Sequence, residues 1–191
     1  MIKVYEHSHF GGAQVLLADH PGVDAEINAI IAGVRPAASD KEGRRVYSAR
    51  EINRHFRREF QARGYRELRD TYTIELPNYP VKIRGAFKQV DFVKGRVLVE
   101  VQLGKYFAMF YDMAKFQYFF NENKADVGVE IVPCVHLKRG MSSGVSYGEQ
   151  LIFDIERLRR HFPAVPVKVI LVGMDAAEES VVGEIEEPGE G

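Results

Sequence analysis

Two acidic side chains, Asp91 and Glu100, stand on either side of a short turn in the middle of the chain. Apolar and polar residues alternate before and after Gly95, which is the period of a half-buried strand, and Gly95 suits a tight turn. With Lys94-Gly95 as the loop, Asp91 lies opposite Leu98 and is a diagonal neighbour of Glu100, roughly 7–8 Å away on the same face. Two carboxylates on one face repel each other, so this pattern predicts a hard divalent cation between them.

Gln102 lies on the same predicted face, because side chains alternate along a strand. Hydrolysis of a phosphodiester requires an activated water, neutralised charge and a stabilised leaving oxygen, and Mg²⁺ supplies several of these. Metal-assisted phosphodiester hydrolysis is therefore one interpretation of two carboxylates and an amide at this spacing. The residues alone also allow the alternative that Asp91, Glu100 and Gln102 are ordinary polar positions on a solvent-facing strand.

The segment from Asp91 to Gln102 resembles the PD-(D/E)xK nuclease motif. The resemblance is closest to the BglII/BstYI-type type II restriction endonucleases, in which Gln replaces the usual Lys. It covers roughly residues 86–173 and includes three further stretches, at 101–106, 126–133 and 141–147. The order and length of these stretches make the match specific, and it implies a restriction-endonuclease-like fold.

The resemblance implies Mg²⁺-dependent cleavage of both DNA strands at a short palindrome, of the RGATCY type centred on GATC. Asp91 and Glu100 would bind the metal, with the carbonyl of Val101 as a third ligand, and Gln102 would complete the catalytic set. A neutral amide is neither a base nor a charge, so Gln102 would orient the water or ligate the ion through its carbonyl.

The same resemblance implies a base-reading loop in the major groove. Its residues would be Met141, Ser142, Ser143 and Gly144, and Lys105 would reach the same groove. A serine hydroxyl can donate or accept and lysine favours guanine, which suits a degenerate outer base pair. The alternative is that this loop is only a flexible connection.

Two features upstream of Asp91 have open interpretations. Glu75 and Asn78 are candidates for a further catalytic acidic or amide residue. The predicted helix 49–63 is rich in arginine and forms either a solvated face or a surface that contacts DNA phosphates. Its arginines are Arg50, Arg54, Arg57, Arg58 and Arg63.

The order of strands and helices predicts an α/β fold with a mixed central β-sheet flanked by helices. Besides the hairpin, the apolar patterns predict strands at 2–6, 13–18, 71–76, 127–132 and 165–172. Helices are predicted at 24–32, 48–63, 106–121 and 146–162, with Asp24, Ser48 and Ser146 as their caps where polar residues precede them. Segments 35–45 and 136–145 read as loops.

The predicted helix 106–121 is apolar nearly all round. Such a helix must be covered on every side, either by a partner subunit or by long loops of the same chain. A palindromic DNA site also requires two-fold protein symmetry, with one active site for each strand. We therefore expect a homodimer built partly on this helix.

Length and charge limit the class of protein. With 191 residues, 46% of them hydrophobic, the chain can bury one core, so we expect a single nuclease domain over residues 1–174. Residues 175–191 carry many acidic side chains and no Lys or Arg, and we expect a disordered tail. The net charge of −1 excludes a generally basic nucleic-acid binder, so local basic patches must bind phosphates.

Several features predict a cytoplasmic protein with no membrane partner. No apolar run is long enough to span a bilayer, and the first residues read as a strand rather than a signal peptide. The single cysteine, Cys134, excludes an intrachain disulfide and a Cys-cluster zinc site. His7 and His9 could bind a metal, but two imidazoles without further ligands are more often ordinary edge-strand residues.

The expected partners are double-stranded DNA, a second copy of the chain and, in the host, a cognate DNA methyltransferase. Two other functions remain open: a non-cleaving dimeric DNA-binding module of the same fold, and an interaction protein whose aromatic helix only dimerises. Metal-dependent cleavage distinguishes the nuclease from both. Salt-sensitive DNA binding distinguishes the non-cleaving DNA-binding module from the interaction protein.

Overall fold

Within residues 1–35 and 47–174, the part of the chain that the computed structural model describes, six strands form one sheet. The strands are β1 (Ile2–His9), β2 (Arg66–Ile74), β3 (Ile83–Lys94), β4 (Val97–Val101), β5 (Val127–Pro133) and β6 (Val167–Gly173). The helices are α1 (Gly12–Asp19), α2 (Pro21–Gly33), α3 (Ala49–Ala62), α4 (Tyr106–Asn121), α5 (Val135–Arg139) and α6 (Gly148–Leu158).

The sheet has the strand order β1-β6-β5-β4-β3-β2. Strands β4, β5 and β6 are parallel, while β1, β2 and β3 join antiparallel at the two sides. Every residue of β5 and β6 is buried, as expected for parallel strands that are covered on both faces. The predicted α/β fold with a mixed central sheet flanked by helices is confirmed.

The hairpin between β3 and β4 forms, but its predicted register is wrong by two residues. The ladder pairs Phe92 with Val99 and Lys94 with Val97, so the turn residues are Gly95 and Arg96. Gly95 takes a φ of 60°, which glycine adopts without steric cost. A shift of two residues leaves every side chain on its predicted face, whereas a shift of one would reverse them all.

Residues 13–18, predicted as a strand, lie in helix α1. A strand would put neighbours on opposite faces, but the buried residues here are Gly12 and Leu16, four apart on one side of a helix. Gly12 touches the sheet so closely that a Cβ would lie 2.2 Å from the backbone of Val167. Close packing of a helix on β6 therefore outweighs the alternating pattern.

The predicted start of the next helix is also wrong. Helix α2 begins at Pro21, a residue suited to the first turn, and Asp24 lies inside it instead of capping it. The Asp24 side chain is buried and accepts a hydrogen bond of 2.6 Å from the ammonium of Lys168 on β6. Its role is to join α2 to the sheet.

The region after β5 contains more and shorter helices than predicted. The loop predicted at 136–145 includes helix α5. Helix α6 is shorter than the predicted 146–162 and begins at Gly148, so Ser146 is not its cap. A Cβ on Gly148 would lie 2.2 Å from Val132, so α6 begins where the chain can approach the sheet most closely.

The remaining elements agree with the prediction, apart from small shifts at strand ends. Ser48 accepts a hydrogen bond of 3.4 Å from the backbone N–H of Glu51, as its capping box requires. Helix α4 has the predicted bounds, whereas β2 begins earlier, at Arg66. Most of loop 35–45 and the whole tail 175–191 lie outside the described residues. None of the helices in the described ranges is both long enough and apolar enough to cross a membrane.

Candidate active site

The two acidic residues of the hairpin come together at the centre of the sheet. From the Phe92–Val99 pair, one further residue along each strand brings Asp91 of β3 level with Glu100 of β4. Glu100 is 4% exposed, whereas Asp91 is half-buried. The parallel ladder places Glu130 of β5 beside Glu100. The expected convergence of Asp91 and Glu100 on one face is therefore present, with a third carboxylate beside them.

Helix α4 adds two charged residues that the sequence analysis missed. The ammonium of Lys115 contacts the Glu100 carboxylate and lies 2.6 Å from an oxygen of Asp112. Gln102 donates a hydrogen bond of 3.2 Å from its side-chain amide to the other Asp112 oxygen. Asp112 and Lys115 are the charged residues of an otherwise uncharged helix and lie three positions apart, so they share a face. This pair of charges on one face of an apolar helix is the sequence feature that could have identified both residues.

A glycine allows α4 to lie close enough for these contacts. A Cβ on Gly128 of β5 would lie 2.5 Å from the ring of Phe116. Phe116 is fully buried and directly follows Lys115 in the helix. Close packing of α4 on β5 thus fixes the position of Lys115 relative to the sheet carboxylates.

The carboxylates of this cluster are buried together, and this changes their acidity. Burial, and then the nearby Asp112 carboxylate, raise the pKa of Glu100 above its ordinary value. Burial, followed by Asp112 and Glu100, raises the pKa of Glu130 well above its ordinary value. Burial alone would lower the pKa of Lys115, but the attraction of Glu100 and Asp112 outweighs it and raises that pKa.

The charges of the cluster are not balanced by its own residues. Four carboxylates, those of Asp91, Glu100, Asp112 and Glu130, face the single ammonium of Lys115. Neither carboxylate oxygen of Glu130 accepts a hydrogen bond within the described residues. Buried polar groups are normally satisfied, and oxygen ligands with excess negative charge suit a hard divalent cation. The donor set therefore fits Mg²⁺.

Helix α3 lies on the other side of Asp91. Asn53 and Arg57 of α3 line a small cleft together with Asp91 and Val101. An adjoining open cleft is lined by the same two residues and by Arg50 and Arg54. These positions repeat at three or four residues, so they form one face of the helix. This part of the arginine-rich helix thus faces the carboxylates.

The other two arginines of α3 have local partners. Arg58 and Arg63 both form ion pairs with Glu59, at 3.0 Å and 2.7 Å. The sequence left open whether this helix was a solvated face or a phosphate-binding surface. The ion pairs with Glu59 agree with the first interpretation for Arg58 and Arg63, whereas Arg57 lies beside Asp91, and Arg50 and Arg54 line the adjoining cleft.

The two segments predicted to contact DNA bases are neighbours in space. The backbone N–H of Ser146 donates a hydrogen bond of 2.8 Å to the carbonyl of Gly104, next to Lys105. Lys105 is exposed and lies between the end of β4 at Val101 and the start of α4. Three loop residues are exposed, and the fourth, Met141, packs against the core. The exposed ones are Ser142, Ser143 and Gly144.

The structure does not bring Glu75 or Asn78 to the cluster. Both lie at the far end of the β2–β3 hairpin, where Glu75 pairs with Lys82 at 3.0 Å and Asn78 takes a turn conformation with φ of 62°. Ile83, where β3 begins, is about 26 Å from Asp91 at the usual rise of a strand. Neither residue can therefore take part with Asp91 in one site in this arrangement.

Comparison with known proteins assigns a family to this geometry. A family model described as "Restriction endonuclease BglII/BglIII" matches residues 4–172. The crystal structure of restriction endonuclease BglII complexed with a DNA 16-mer is similar, with a TM-score of 0.68, 19% identity and coverage of 91% of this chain and 79% of that chain. Free BglII gives a TM-score of 0.67, 16% identity and coverage of 91% and 81%. No curated protein sequence matches the chain.

Proposed function

The chain belongs to the BglII/BglIII family of type II restriction endonucleases, and on that premise we propose that it is a Mg²⁺-dependent enzyme that cuts both strands of a short palindromic DNA site. The observation that carries this proposal is the carboxylate cluster. Asp91 and Glu100 meet beside the buried, unsatisfied Glu130, and Asp91 lines a cleft that it shares with Arg57 of α3.

We assign Asp91 and Glu100 as metal ligands, with the backbone carbonyl of Val101 as a third. Val101 lines the same cleft as Asp91, which supports this choice. The bound ion would lower the pKa of the attacking water and neutralise charge on the phosphate. Arg57, which lines the same cleft, would hold the phosphate oxygens in place, because the guanidinium matches phosphate geometry.

Gln102 would orient the water as the third catalytic residue. Its amide nitrogen is held by Asp112, so the carbonyl oxygen is directed elsewhere, toward Gly104. A Cβ on Gly104 would lie 2.7 Å from that oxygen, so the missing side chain leaves room for it. We propose that Lys115 supplies, from α4, the positive charge that other PD-(D/E)xK enzymes carry at the position of Gln102.

The enzyme acts on DNA, and we propose an RGATCY-like site centred on GATC. Lys105 and the loop of Met141, Ser142, Ser143 and Gly144 would read the outer base pairs from the major groove. The backbone bond between Gly104 and Ser146 supports a joint role, because it holds the two segments side by side.

Substitutions in these segments should alter preference at the outer base pair. Ser143→Asn and Lys105→Ala each change one base contact, worth about 1–3 kcal/mol of discrimination. Cleavage rates on oligonucleotides that differ only in the outer pair measure the effect. Arg54→Ala on α3 is the matched control, since loss of a phosphate contact weakens binding to all sequences alike. If Ser143→Asn and Lys105→Ala also slow all substrates by one common factor, the base-reading assignment is wrong.

We propose that the active species is a homodimer that uses helix α4. Phe107 and Tyr111 lie four residues apart on α4. Both side chains are largely apolar, yet Phe107 is 68% exposed and Tyr111 is 49% exposed. Exposed apolar patches of this kind favour a protein partner.

Replacement of Phe107 by glutamate should therefore weaken the dimer. A charge placed in an apolar contact must be desolvated without a partner, so the variant should sediment as a monomer at micromolar concentration where the original chain sediments as a dimer. Leu17→Glu is the matched control, because Leu17 is 55% exposed on the distant helix α1. A monomer for the original chain, with and without DNA, would contradict the proposal.

Digestion of plasmid DNA tests the proposed reaction directly. The purified chain should produce discrete fragments with Mg²⁺ and none with EDTA, and sequencing of the fragment ends should give a single palindrome. Salt-sensitive DNA binding without cleavage in Mg²⁺ would instead indicate the non-cleaving DNA-binding module.

Two further assignments accompany this function. We propose that residues 1–174 form one nuclease domain, which is supported by the single hydrophobic cluster that spans the described sheet and helices. We also propose that the enzyme acts in the cytoplasm, beside a cognate DNA methyltransferase that protects host DNA.

A further inference from the structure

A second group of possible metal ligands lies at the β1 edge of the sheet, on the same face as the carboxylate cluster but two strands away from Glu130. His7 and His9 alternate on β1, so both point to the same face of the strand. Glu156 of α6 meets them there, with one carboxylate oxygen 3.0 Å from Nε2 of His7 and 3.0 Å from Nδ1 of His9. Strand β1 is two steps from β5, which carries Glu130, and three steps from β4, which carries Glu100. These steps correspond to about 10 Å and about 14 Å at the usual strand spacing, so this group is separate from the nuclease site.

The hydrogen bonds of His9 direct its Nδ1 atom toward Glu156. Its ring is fully buried, and Nε2 lies 2.8 Å from the backbone carbonyl of Pro163. A carbonyl only accepts, so Nε2 donates to it, and Nδ1 is the ring atom that faces the Glu156 oxygen. This atom carries a proton when the imidazole is charged and forms an ion pair with Glu156, and it offers a lone pair to a metal ion when the imidazole is neutral.

The surroundings match those of histidine and carboxylate ligands in metal sites. Metal-binding histidines commonly donate their second ring N–H to a backbone carbonyl, as His9 does to Pro163. The ligating carboxylate is also commonly held by a neighbour, and Arg159 donates a hydrogen bond of 3.2 Å to the second oxygen of Glu156. With these two contacts in place, Nδ1 of His9 and the other oxygen of Glu156 face each other.

The spacing and chemistry of the ligand atoms select the ion. The three ligand atoms lie within 4.8 Å of one another. A tetrahedral ion with bonds of about 2.0–2.1 Å places its ligands about 3.3 Å apart, close to the two 3.0 Å separations. Two imidazoles and one carboxylate suit Zn²⁺, whereas Mg²⁺ prefers oxygen ligands alone.

We propose that His7, His9 and Glu156 form a Zn²⁺ site that links the edge strand β1 to helix α6, independent of the Mg²⁺ site of the nuclease. His7 and Glu156 retain partial exposure, with 18% and 29% of their side chains accessible, so the ion can enter from solvent and keep a water as its fourth ligand. The sequence supplied only the two histidines, and the tertiary structure adds the carboxylate that makes three ligands.

Zinc binding by the folded chain tests this site without use of the nuclease activity. The protein is stripped with a chelator, exchanged into buffer with excess Mg²⁺ to occupy the carboxylate cluster, and titrated with ZnCl₂ by calorimetry. The original chain should bind one Zn²⁺, and its melting temperature should rise with Zn²⁺ concentration. Co²⁺ in place of Zn²⁺ should give the visible absorption of a four-coordinate site with nitrogen ligands.

The substitutions His7→Gln and Glu156→Gln should each weaken Zn²⁺ binding by more than about 100-fold, since loss of a ligand exceeds the usual effect of an outer-shell change. His161→Gln is the matched control, because His161 is exposed and near α6 but outside the group. Mg²⁺-dependent DNA cleavage by all three variants should remain at the original rate. Absence of Zn²⁺ binding by the original chain, or unchanged binding by both His7→Gln and Glu156→Gln, would overturn the proposal whether or not the chain cleaves DNA.

Discussion

Replacement of Asp91 by asparagine, or of Glu100 by glutamine, should reduce the rate of DNA cleavage by about 10³-fold while the protein stays folded. A catalytic metal contributes several kcal/mol of charge stabilisation, and each 1.36 kcal/mol corresponds to a factor of ten in rate. Each substitution keeps the shape of the side chain but removes the charge that holds the ion.

Single-turnover cleavage of an oligonucleotide duplex measures this effect, with circular dichroism and Mg²⁺-free DNA binding as checks on folding. Glu75→Gln is the matched control. Glu75 is an acidic residue of the same sheet but lies at the far end of the β2–β3 hairpin, paired with Lys82. Full cleavage by Asp91→Asn or Glu100→Gln would disprove the assignment of the active site, and a large loss in Glu75→Gln would restore Glu75 as a candidate.

Replacement of Lys115 by methionine should destabilise the metal-free protein by about 3 kcal/mol, since removal of one partner from a buried ion pair leaves uncompensated charge. The Lys115 side chain is 14% exposed and contacts the side chains of Glu100 and Asp112, which are 5% and 3% exposed. Among the described residues, no other positive side chain forms an ion pair with these two carboxylates. Part of the lost stability should return with Mg²⁺, because the ion can replace the missing positive charge.

Urea denaturation in EDTA and in excess Mg²⁺ measures both effects on the free energy of unfolding. Lys124→Met is the matched control, because Lys124 pairs with Asp70 at 2.6 Å but is 40% exposed. An exposed pair of this kind contributes at most about 1 kcal/mol. Equal losses for Lys115→Met and Lys124→Met would show that Lys115 does not balance the buried carboxylates. Loss of cleavage in a Lys115→Met protein that Mg²⁺ has restabilised would support its proposed catalytic role.

Elements with strong local signals could be predicted from the sequence. Ser48 and Glu51 identify the start of α3 because both partners of the cap lie within one turn. The apolar run 127–132 identifies a buried strand because every side chain of β5 is covered. Prediction failed for α1 and at the start of α6, where Gly12 and Gly148 pack against strands far along the chain. Such close approaches are not visible in a local pattern.

The hairpin shows how much a local pattern can determine about a site. Alternation predicted Asp91, Glu100 and Gln102 on one face. For Asp91 and Glu100, that result survived a register error of two residues. Gln102 follows the last residue of β4 and contacts the cluster through its hydrogen bond to Asp112. The position of the turn depended on more distant groups. Arg96 is held at 2.7 Å by both Asp126 and the carbonyl of Asn123, and these contacts fix it as a turn residue.

The sequence by itself determined the chemical types at the centre of the site: two carboxylates and an amide on one strand face, in an order that identifies the nuclease family. Only the tertiary structure decided which other charged side chains surround these three residues. Glu130 reaches the cluster through the parallel pairing of β4 with β5. Asp112 and Lys115 reach it because α4 packs on β5 through the contact of Phe116 with Gly128. The physical reason is that strand alternation acts over a few residues, whereas the balance of buried charge depends on every group within a few ångströms, whatever its position in the chain.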